Sequence, residues 1–316
     1  MGYILDVLFP LAFVGWIRFA TLCSLSYSRR LMPVRIRCNS PIWSPGVAWV
    51  STLLYLRSCM EGSMFNQISI VGAGRIGQSF TKIRNQDGIE VVLLRRGDHT
   101  PLPTGPIVVC TRNDDLQAVL DWVPSERRRD LIFVQNGMLQ TWLAQQSLDS
   151  ATQALLYIAV SRVGEEPVDG GRSVVTGPRS ADVVDLMKAL NLSCRAVTKS
   201  QFLLEMLEKL LWNCVFGLLC QVYDVSVGSV VEYHRDQVRT LTVELLQVAC
   251  TALNLELPSP TEQEALIERL CEYSLTIASY KGAVKEWKWR NGWFWDRQKD
   301  DESLHAKLLG QAGLKI

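Results

Sequence analysis

The chain has 316 residues, of which 48% are hydrophobic and 21% charged, and its formal net charge is +1. This composition is that of a globular protein long enough for two domains. The balanced charge provides no overall positive field for nucleic acid, so no nucleic-acid partner is predicted. The nine cysteines contain no CxxC pair and only three histidines accompany them, which argues against a metal site and against a disulfide framework.

Residues 1–63 differ in composition from the rest of the chain. Residues 7–60 contain no aspartate or glutamate, whereas arginine recurs through a stretch rich in serine and leucine. This pattern is typical of a transit peptide, which would direct the protein to a plastid or a mitochondrion. Two alternatives stay open: a membrane anchor at 3–23, and a non-core extension ahead of Met64 on a cytoplasmic protein. In each case the segment lies outside the catalytic fold, and no stable membrane association is expected after processing.

A glycine-rich turn follows the first apolar, β-branched run, at 68–71. A helical pattern and a second apolar run at 89–94 complete the order strand, GxGxxG, helix, strand, which is typical of a dinucleotide-binding unit. In such a unit the glycines allow a tight turn and close approach of a pyrophosphate, which the helix amino terminus then binds. The alternative is a glycine turn without a ligand. The predicted cofactor-binding residues are Gly72, Ala73, Gly74, Arg75, Ile76 and Gly77.

Two arginines, Arg95 and Arg96, follow the second strand. A site for NAD usually carries an acidic residue here for the ribose hydroxyls, whereas guanidinium groups suit a 2′-phosphate. The pair therefore favours NADP(H), the alternative being two solvated arginines at a strand end.

Further strands are predicted at 106–110, 130–134 and 154–160, with helical patterns between them. This alternation predicts an α/β Rossmann fold with a doubly wound, mainly parallel sheet. Asn136, in the sequence Gln-Asn-Gly, comes just after the strand at 130–134. Open parallel sheets bind ligands at that position, although Asn136 alone is also a common turn residue.

Lys209 and Asn213 lie one helical turn apart in the otherwise apolar stretch 205–220. An apolar pocket would lower the pKa of Lys209 and make it a usable general acid, and Asn213 would then hold a substrate oxygen. From this helix alone, a lysine that extends to solvent beside a satisfied core amide is the simpler interpretation. A later stretch adds Ser274 and, twelve residues on, Glu286, ahead of an Asn-Gly-aromatic sequence.

These motifs, in this order over residues 67 to about 310, resemble the ketopantoate reductase (2-dehydropantoate 2-reductase) family. The resemblance implies an NADP-binding Rossmann domain at 64–200, an all-helical substrate domain at 201–316, and a cleft between them. It also implies reduction of 2-dehydropantoate to (R)-pantoate with NADPH, a step in pantothenate and coenzyme A biosynthesis, by a monomer or homodimer. The residues that it assigns to catalysis are Lys209 as general acid and Glu286 in the polar network around it. Those that it assigns to substrate binding are Asn136, Asn213 and, for the carboxylate, Ser274, and Asn136 would also bind the cofactor, near its nicotinamide.

The sequence departs from the family pattern at three places. Gly217 stands where a second asparagine is usual, and Arg112 replaces a lysine that follows the third strand near the cofactor. The segment 97–106 is also shorter than usual. These changes leave the exact 2-keto acid open, and two alternatives with it: a reductase of the same fold acting on another carbonyl compound, and a sensor that binds NADP(H) without turnover.

Overall fold

The computed structural model describes residues 65–85, 89–98, 101–298 and 300–314. These residues all belong to one compact unit, Glu61–Ile316. The predicted targeting segment or extension at 1–63, with its possible membrane anchor, lies outside the described residues.

The described part of the amino-terminal half forms a seven-stranded sheet of order β2-β1-β3-β4-β5-β8-β9. Its first five strands in this order are parallel, β8 runs antiparallel to β5, and β9 is parallel to β8. The strands β1, β3, β4 and β8, which lie inside the sheet, are buried on both faces, as their apolar runs predict. Their bounds are β1 Gln67–Val71, β2 Glu90–Leu94, β3 Ile107–Val109, β4 Leu131–Phe133, β5 Thr152–Leu155, β8 Val174–Thr176 and β9 Arg195–Ala196.

The strand predicted at 154–160 is shorter than expected. β5 ends at Leu155, and a separate pair of two-residue strands, β6 Ile158–Ala159 and β7 Val168–Asp169, follows. The apolar run continues because Leu156 still packs in the core on one face of the sheet, whereas Tyr157 is buried in the core of the helical half.

Helices cover both faces of the sheet, which confirms the doubly wound Rossmann fold. Ile70 and Val108 pack with Phe80 on one face, whereas Val71 and Val109 lie in the core of the other. The helices are α1 Arg75–Phe80, α2 Leu116–Trp122, α3 Gln140–Gln145 and α4 Ser180–Ala189, with 3-10 turns at Thr81–Asn85, Asn113–Asp115 and Ser125–Asp130.

The second half of the described chain is helical, as predicted, and packs around one long helix, α5. The side chain of Thr198 accepts a hydrogen bond from the amide of Gln201 in a capping box, which fixes the start of this helix, and Asp224 in the left-handed conformation ends it. The helices are α5 Lys199–Tyr223, α6 Val227–Tyr233, α7 Arg235–Leu253, α8 Pro260–Thr276, α9 Asn291–Gln298 and α10 Leu304–Gln311, with a 3-10 turn at Trp287–Trp289.

Among the described residues, no helix taken singly has both the length and the apolar character of a membrane span. The consecutive helices α5 and α6 meet that test only as a pair, with a bend of 84° between them.

Candidate active site

The glycine-rich turn joins β1 to α1 and has the shape that a bound pyrophosphate requires. Gly72 has φ +109°, and a Cβ there would lie 2.8 Å from the carbonyl carbon of Cys110. A Cβ on Gly77 would lie 1.8 Å from the carbonyl oxygen of Gly72, so helix and turn touch. A Cβ on Gly74 would meet nothing within 4 Å. The turn is therefore tight where the protein packs and open where a ligand would approach the first amides of α1.

The arginines predicted to bind the nucleotide are exposed at the same edge of the sheet. Arg95 and Arg96 follow β2, and Arg112 follows β3. The guanidinium of Arg96 is paired with the carboxylate of Asp115 at 2.8 Å. The backbone amide of Arg95 donates to the carboxylate of Asp98 at 2.7 Å, so an acid does lie at this strand end, where the sequence pattern indicated none.

The Gln-Asn-Gly loop after β4 is fastened to the helical domain. Gly137 has φ +97°, and a Cβ there would lie 2.7 Å from the carbonyl oxygen of Trp289, so backbone meets backbone. The amide of Met138 donates to that carbonyl at 2.8 Å, and the indole nitrogen of Trp289 donates to Asp114 at 3.0 Å. These contacts bring Asn136 to the border between the two domains.

Lys209 does not extend to solvent. It is partly buried on α5, its ammonium donates a hydrogen bond to the carbonyl oxygen of Leu156, and it lies 4.3 Å from the ring centroid of Tyr157. Burial, then the positive charges of Arg290 and Arg172, lower the pKa of Lys209 to about 7. An amine with this pKa donates and regains a proton readily at neutral pH, as a general acid must.

Asn213 connects the backbone of Lys209 to a partly buried ion pair. Its amide nitrogen donates to the backbone carbonyl of Lys209 at 2.8 Å, and its amide oxygen accepts from Arg290 at 3.1 Å. Arg290 also donates to the carboxylate of Glu286. Glu286 has φ +49°, a conformation that is strained for a residue with a side chain and is common at functional sites. Asn213, Arg290 and Glu286 thus form one connected polar network, which is joined to Lys209 through its backbone carbonyl.

Ser274 is fully buried in α8, and its hydroxyl is already satisfied. It donates to the carbonyl oxygen of Leu270 at 2.9 Å and accepts from the indole nitrogen of Trp212 at 2.8 Å. A substrate carboxylate would reach this hydroxyl only by displacing the indole.

Gly217, the position that departs from the family pattern, contacts a neighbouring segment. A Cβ on Gly217 would lie 2.9 Å from the carbonyl oxygen of Ala283. The segment 278–285 therefore rests directly on α5, and an asparagine side chain would have no space there.

The cavity beside Lys209 is almost closed. Its volume is about 10 Å³, which is no more than one water requires. The walls of the cleft must therefore move apart before a substrate can enter. The cavity is lined by Tyr157, Arg172, Glu208, Lys209, Trp212, Leu270 and Tyr273.

Sequence reasoning missed two members of this site, Arg290 and Tyr157. Arg290 had a signal, since it follows Glu286 by four residues, the spacing of an opposite-charge pair on one helical face. Tyr157 had no signal, because it approaches Lys209 only through the packing of the two domains.

Comparison with known proteins agrees with this architecture. Residues 201–282 match the family model described as the carboxy-terminal domain of ketopantoate reductase PanE/ApbA. A search of curated protein sequences gave no match.

Solved structures share the fold at low sequence identity. The 2-dehydropantoate 2-reductase of Geobacter metallireducens GS-15 has a TM-score of 0.58 and 17% identity, over 78% of this chain and 98% of that one. The dimeric ketopantoate reductase of Staphylococcus aureus has a TM-score of 0.56 and 15% sequence identity, over 78% of this chain and 96% of that one. D-mandelate dehydrogenase, solved with NADH and anilino(oxo)acetate, has a TM-score of 0.55 and 13% sequence identity, over 78% of this chain and 96% of that one.

The glycine turn, the two-domain fold and the partly buried lysine are features expected of a pyridine-nucleotide-dependent oxidoreductase. The match at 201–282 confirms the resemblance to the ketopantoate reductase family that the sequence motifs indicated, and the solved structures show that the fold is shared.

Proposed function

We propose that the protein reduces the ketone of a 2-keto acid with NADPH, 2-dehydropantoate being the first substrate to test and (R)-pantoate its product. The observation that carries this proposal is the ammonium of Lys209, which has a pKa of about 7 and donates to the carbonyl oxygen of Leu156. One turn further along the same helix, Asn213 is bonded to the Arg290–Glu286 ion pair. Arg95, Arg96 and Arg112 support NADPH over NADH, because they offer guanidinium groups to a 2′-phosphate.

Separate residues would bind the cofactor, donate the proton and orient the substrate. The open face at Gly74 and the amides at the start of α1 would hold the pyrophosphate of NADPH, which supplies a hydride when bound. Lys209 would give its proton to the ketone oxygen as the C2 carbon takes the hydride, which completes a two-electron reduction to the alcohol. Burial favours the neutral amine that is left, and solvent restores its proton. Asn136 and Asn213 would orient the substrate.

A second candidate substrate is a 2-keto acid with an aromatic side chain. Trp212 and Tyr273 line the cavity beside Lys209, with ring centroids 5.1 Å apart in an edge-to-face arrangement. Such a wall would pack well against an aromatic ring. D-mandelate dehydrogenase, which has a similar fold, was solved with anilino(oxo)acetate.

The direct test is NADPH oxidation by the purified protein with 2-dehydropantoate and with an aromatic 2-keto acid. Lys209→Ala is expected to lower kcat by at least about a hundredfold, the usual contribution of a general acid. Lys199→Ala, which removes an exposed lysine from the start of the same helix, should leave kcat unchanged. Binding of NADPH without turnover of either acid would instead support a sensor.

A further inference from the structure

Arg290 is a buried cation whose hydrogen-bonding capacity is only partly used. Its side chain is 11% exposed. One terminal nitrogen, Nη1, donates to Asn213 at 3.1 Å, and the other, Nη2, donates to Glu286. The third nitrogen, Nε, is buried and has no partner among the described residues. An unpartnered donor on a buried cation is costly, so this arrangement suits a ligand that would complete it.

The open position has the geometry of a carboxylate site. Nε and Nη2 lie on the same edge of a guanidinium and form the fork that binds both oxygens of a carboxylate. Glu286 fills only the Nη2 half of that fork. Because the backbone of Glu286 is strained and its side chain is 28% exposed, its carboxylate can leave Arg290 and move into solvent. A carboxylate that took both positions would satisfy Nε as well.

Two other groups near Lys209 that could bind a carboxylate, the Ser274 hydroxyl and the Arg172 guanidinium, already have hydrogen-bond or ion-pair partners. The hydroxyl of Ser274 is bonded to Trp212 and Leu270. The Arg172 guanidinium is paired with Glu208 at 2.5 Å, and Glu208 is held from its other oxygen by Arg269 at 2.9 Å.

We infer that Arg290 binds the carboxylate of the 2-keto acid, and that Glu286 occupies part of its fork until the substrate arrives. This inference rests on the proposed function and specifies how it selects its substrate. Asn213 holds the opposite edge of the guanidinium and is bonded to the backbone of Lys209, and the charge of Arg290 acts on the Lys209 amine. Arg290 therefore lies close enough to Lys209 for a substrate anchored by its carboxylate to bring the adjacent ketone to the amine. The site should accept 2-keto acids and discriminate against their neutral amides.

The first experiment measures binding, so that it does not depend on turnover. Oxamate, a 2-keto acid analogue that is not reduced, is titrated by calorimetry into the full chain with and without NADPH. Arg290→Gln is expected to weaken oxamate binding at least tenfold. Arg297→Gln is the matched control, since this exposed guanidinium of the next helix donates to the Trp293 carbonyl at 2.8 Å.

Two further variants separate binding from folding. Arg290→Gln leaves Glu286 without its cation, so the double variant Arg290→Gln/Glu286→Gln, which is neutral at both positions, should fold and still fail to bind oxamate. Glu286→Gln alone frees the fork and should bind oxamate more tightly than the wild type. Unchanged affinity in the folded double variant, or no oxamate binding by the wild type, would overturn the inference.

The second experiment distinguishes failure of the inference from failure of the proposed function. The ratio of kcat/KM for a 2-keto acid to that for its amide is measured in the wild type and in Arg290→Gln. The ratio should fall at least tenfold in the variant, mainly through KM for the acid. An unchanged ratio rejects the role of Arg290 while the reductase stands. Arg290-dependent oxamate binding without reduction of any 2-keto acid rejects the reductase while the carboxylate site stands.

Discussion

The amine of Lys209 lies between a backbone carbonyl and an aromatic face, with two guanidinium groups close enough to affect its charge. Reduction requires its ammonium form, which predominates below its pKa of about 7 and is lost above it. We therefore expect the rate of 2-keto acid reduction to fall as pH rises through 7. In Arg290→Gln this fall should move to higher pH, because one of the charges that lower the pKa is gone.

A pH profile of kcat in both proteins measures this effect, with Arg297→Gln as the control for a charge removed elsewhere. A profile of Arg290→Gln that coincides with that of the wild type would show that Arg290 does not act on the amine.

At the scale of single residues, the sequence predicted the polar positions but not their partners. Lys209 and Asn213 were recognisable because a charge and an amide interrupt an apolar helix. Their bonds to Leu156 and Arg290 join residues 53 and 77 positions apart, which no local pattern encodes. Ser274 shows the reverse case, since its position was predicted but Trp212 takes its hydroxyl.

At the scale of elements, Gly217 of α5 has no side chain, and this allows the backbone at Ala283 to pack directly against the helix. Gly217→Asn would restore the residue usual in the family, yet its Cβ would lie 2.9 Å from the Ala283 carbonyl oxygen. We expect this substitution to lower the free energy of unfolding by about 1–3 kcal/mol, measured by urea denaturation.

Gly310→Ala is the matched control in α10, because a Cβ there meets nothing within 4 Å. It should stabilise the protein by up to about 1 kcal/mol through higher helix propensity. If Gly217→Asn and Gly310→Ala changed the free energy of unfolding equally, the contact between Gly217 and Ala283 would be contradicted.

The pairing of α9 with α10 includes a histidine that must stay neutral. His305 is fully buried, with Nε2 3.2 Å from the amide nitrogen of Asn291, and burial lowers its pKa to about 4. The unfolded chain binds this proton at about pH 6.5 and the folded chain only near pH 4. As far as His305 determines it, the free energy of unfolding therefore has its full value above pH 6.5 and falls by about 3 kcal/mol as the pH drops from 6.5 to 4.

Urea denaturation at several pH values measures this loss. His305→Gln should flatten the dependence in that window. A wild type whose stability is constant between pH 6.5 and 4 would show that the ring is not buried in neutral form.

Sequence patterns predicted β1, β2, β3 and β4 to within one or two residues, predicted a strand at 154–160 that is longer than β5, and did not predict β8 and β9. Periodicity reports burial and not the partner that provides it, so an apolar run that leaves the sheet for the helical domain looks like one long strand. The end of β5 at Leu155 could not be located from the sequence for this reason.

On the scale of the whole molecule, Trp289 joins the two domains. Its carbonyl and indole nitrogen bond to Met138 and Asp114, and its ring packs edge-to-face on Trp142 with centroids 6.1 Å apart. Trp289→Phe keeps most of this packing and should cost about 1 kcal/mol for the lost indole hydrogen bond. Trp289→Ala should cost about 3–5 kcal/mol and raise KM for both nucleotide and keto acid.

Thermal unfolding and steady-state kinetics of the two variants test this pairing. If Trp289→Ala destabilised the fold but left both KM values unchanged, the contact would support the fold without positioning the site.

The hydrogen bond between Lys209 and Leu156 crosses from the helical domain to the Rossmann domain. Substrate entry needs the nearly closed cavity to widen, and widening returns the amine to water, where its proton affinity rises toward that of free lysine. Each opening near pH 8 would therefore draw a proton from solution, and each closure would release one. A pH electrode in weakly buffered solution should record that release when a ligand closes the cleft, so that domain motion in this protein can be followed by counting protons.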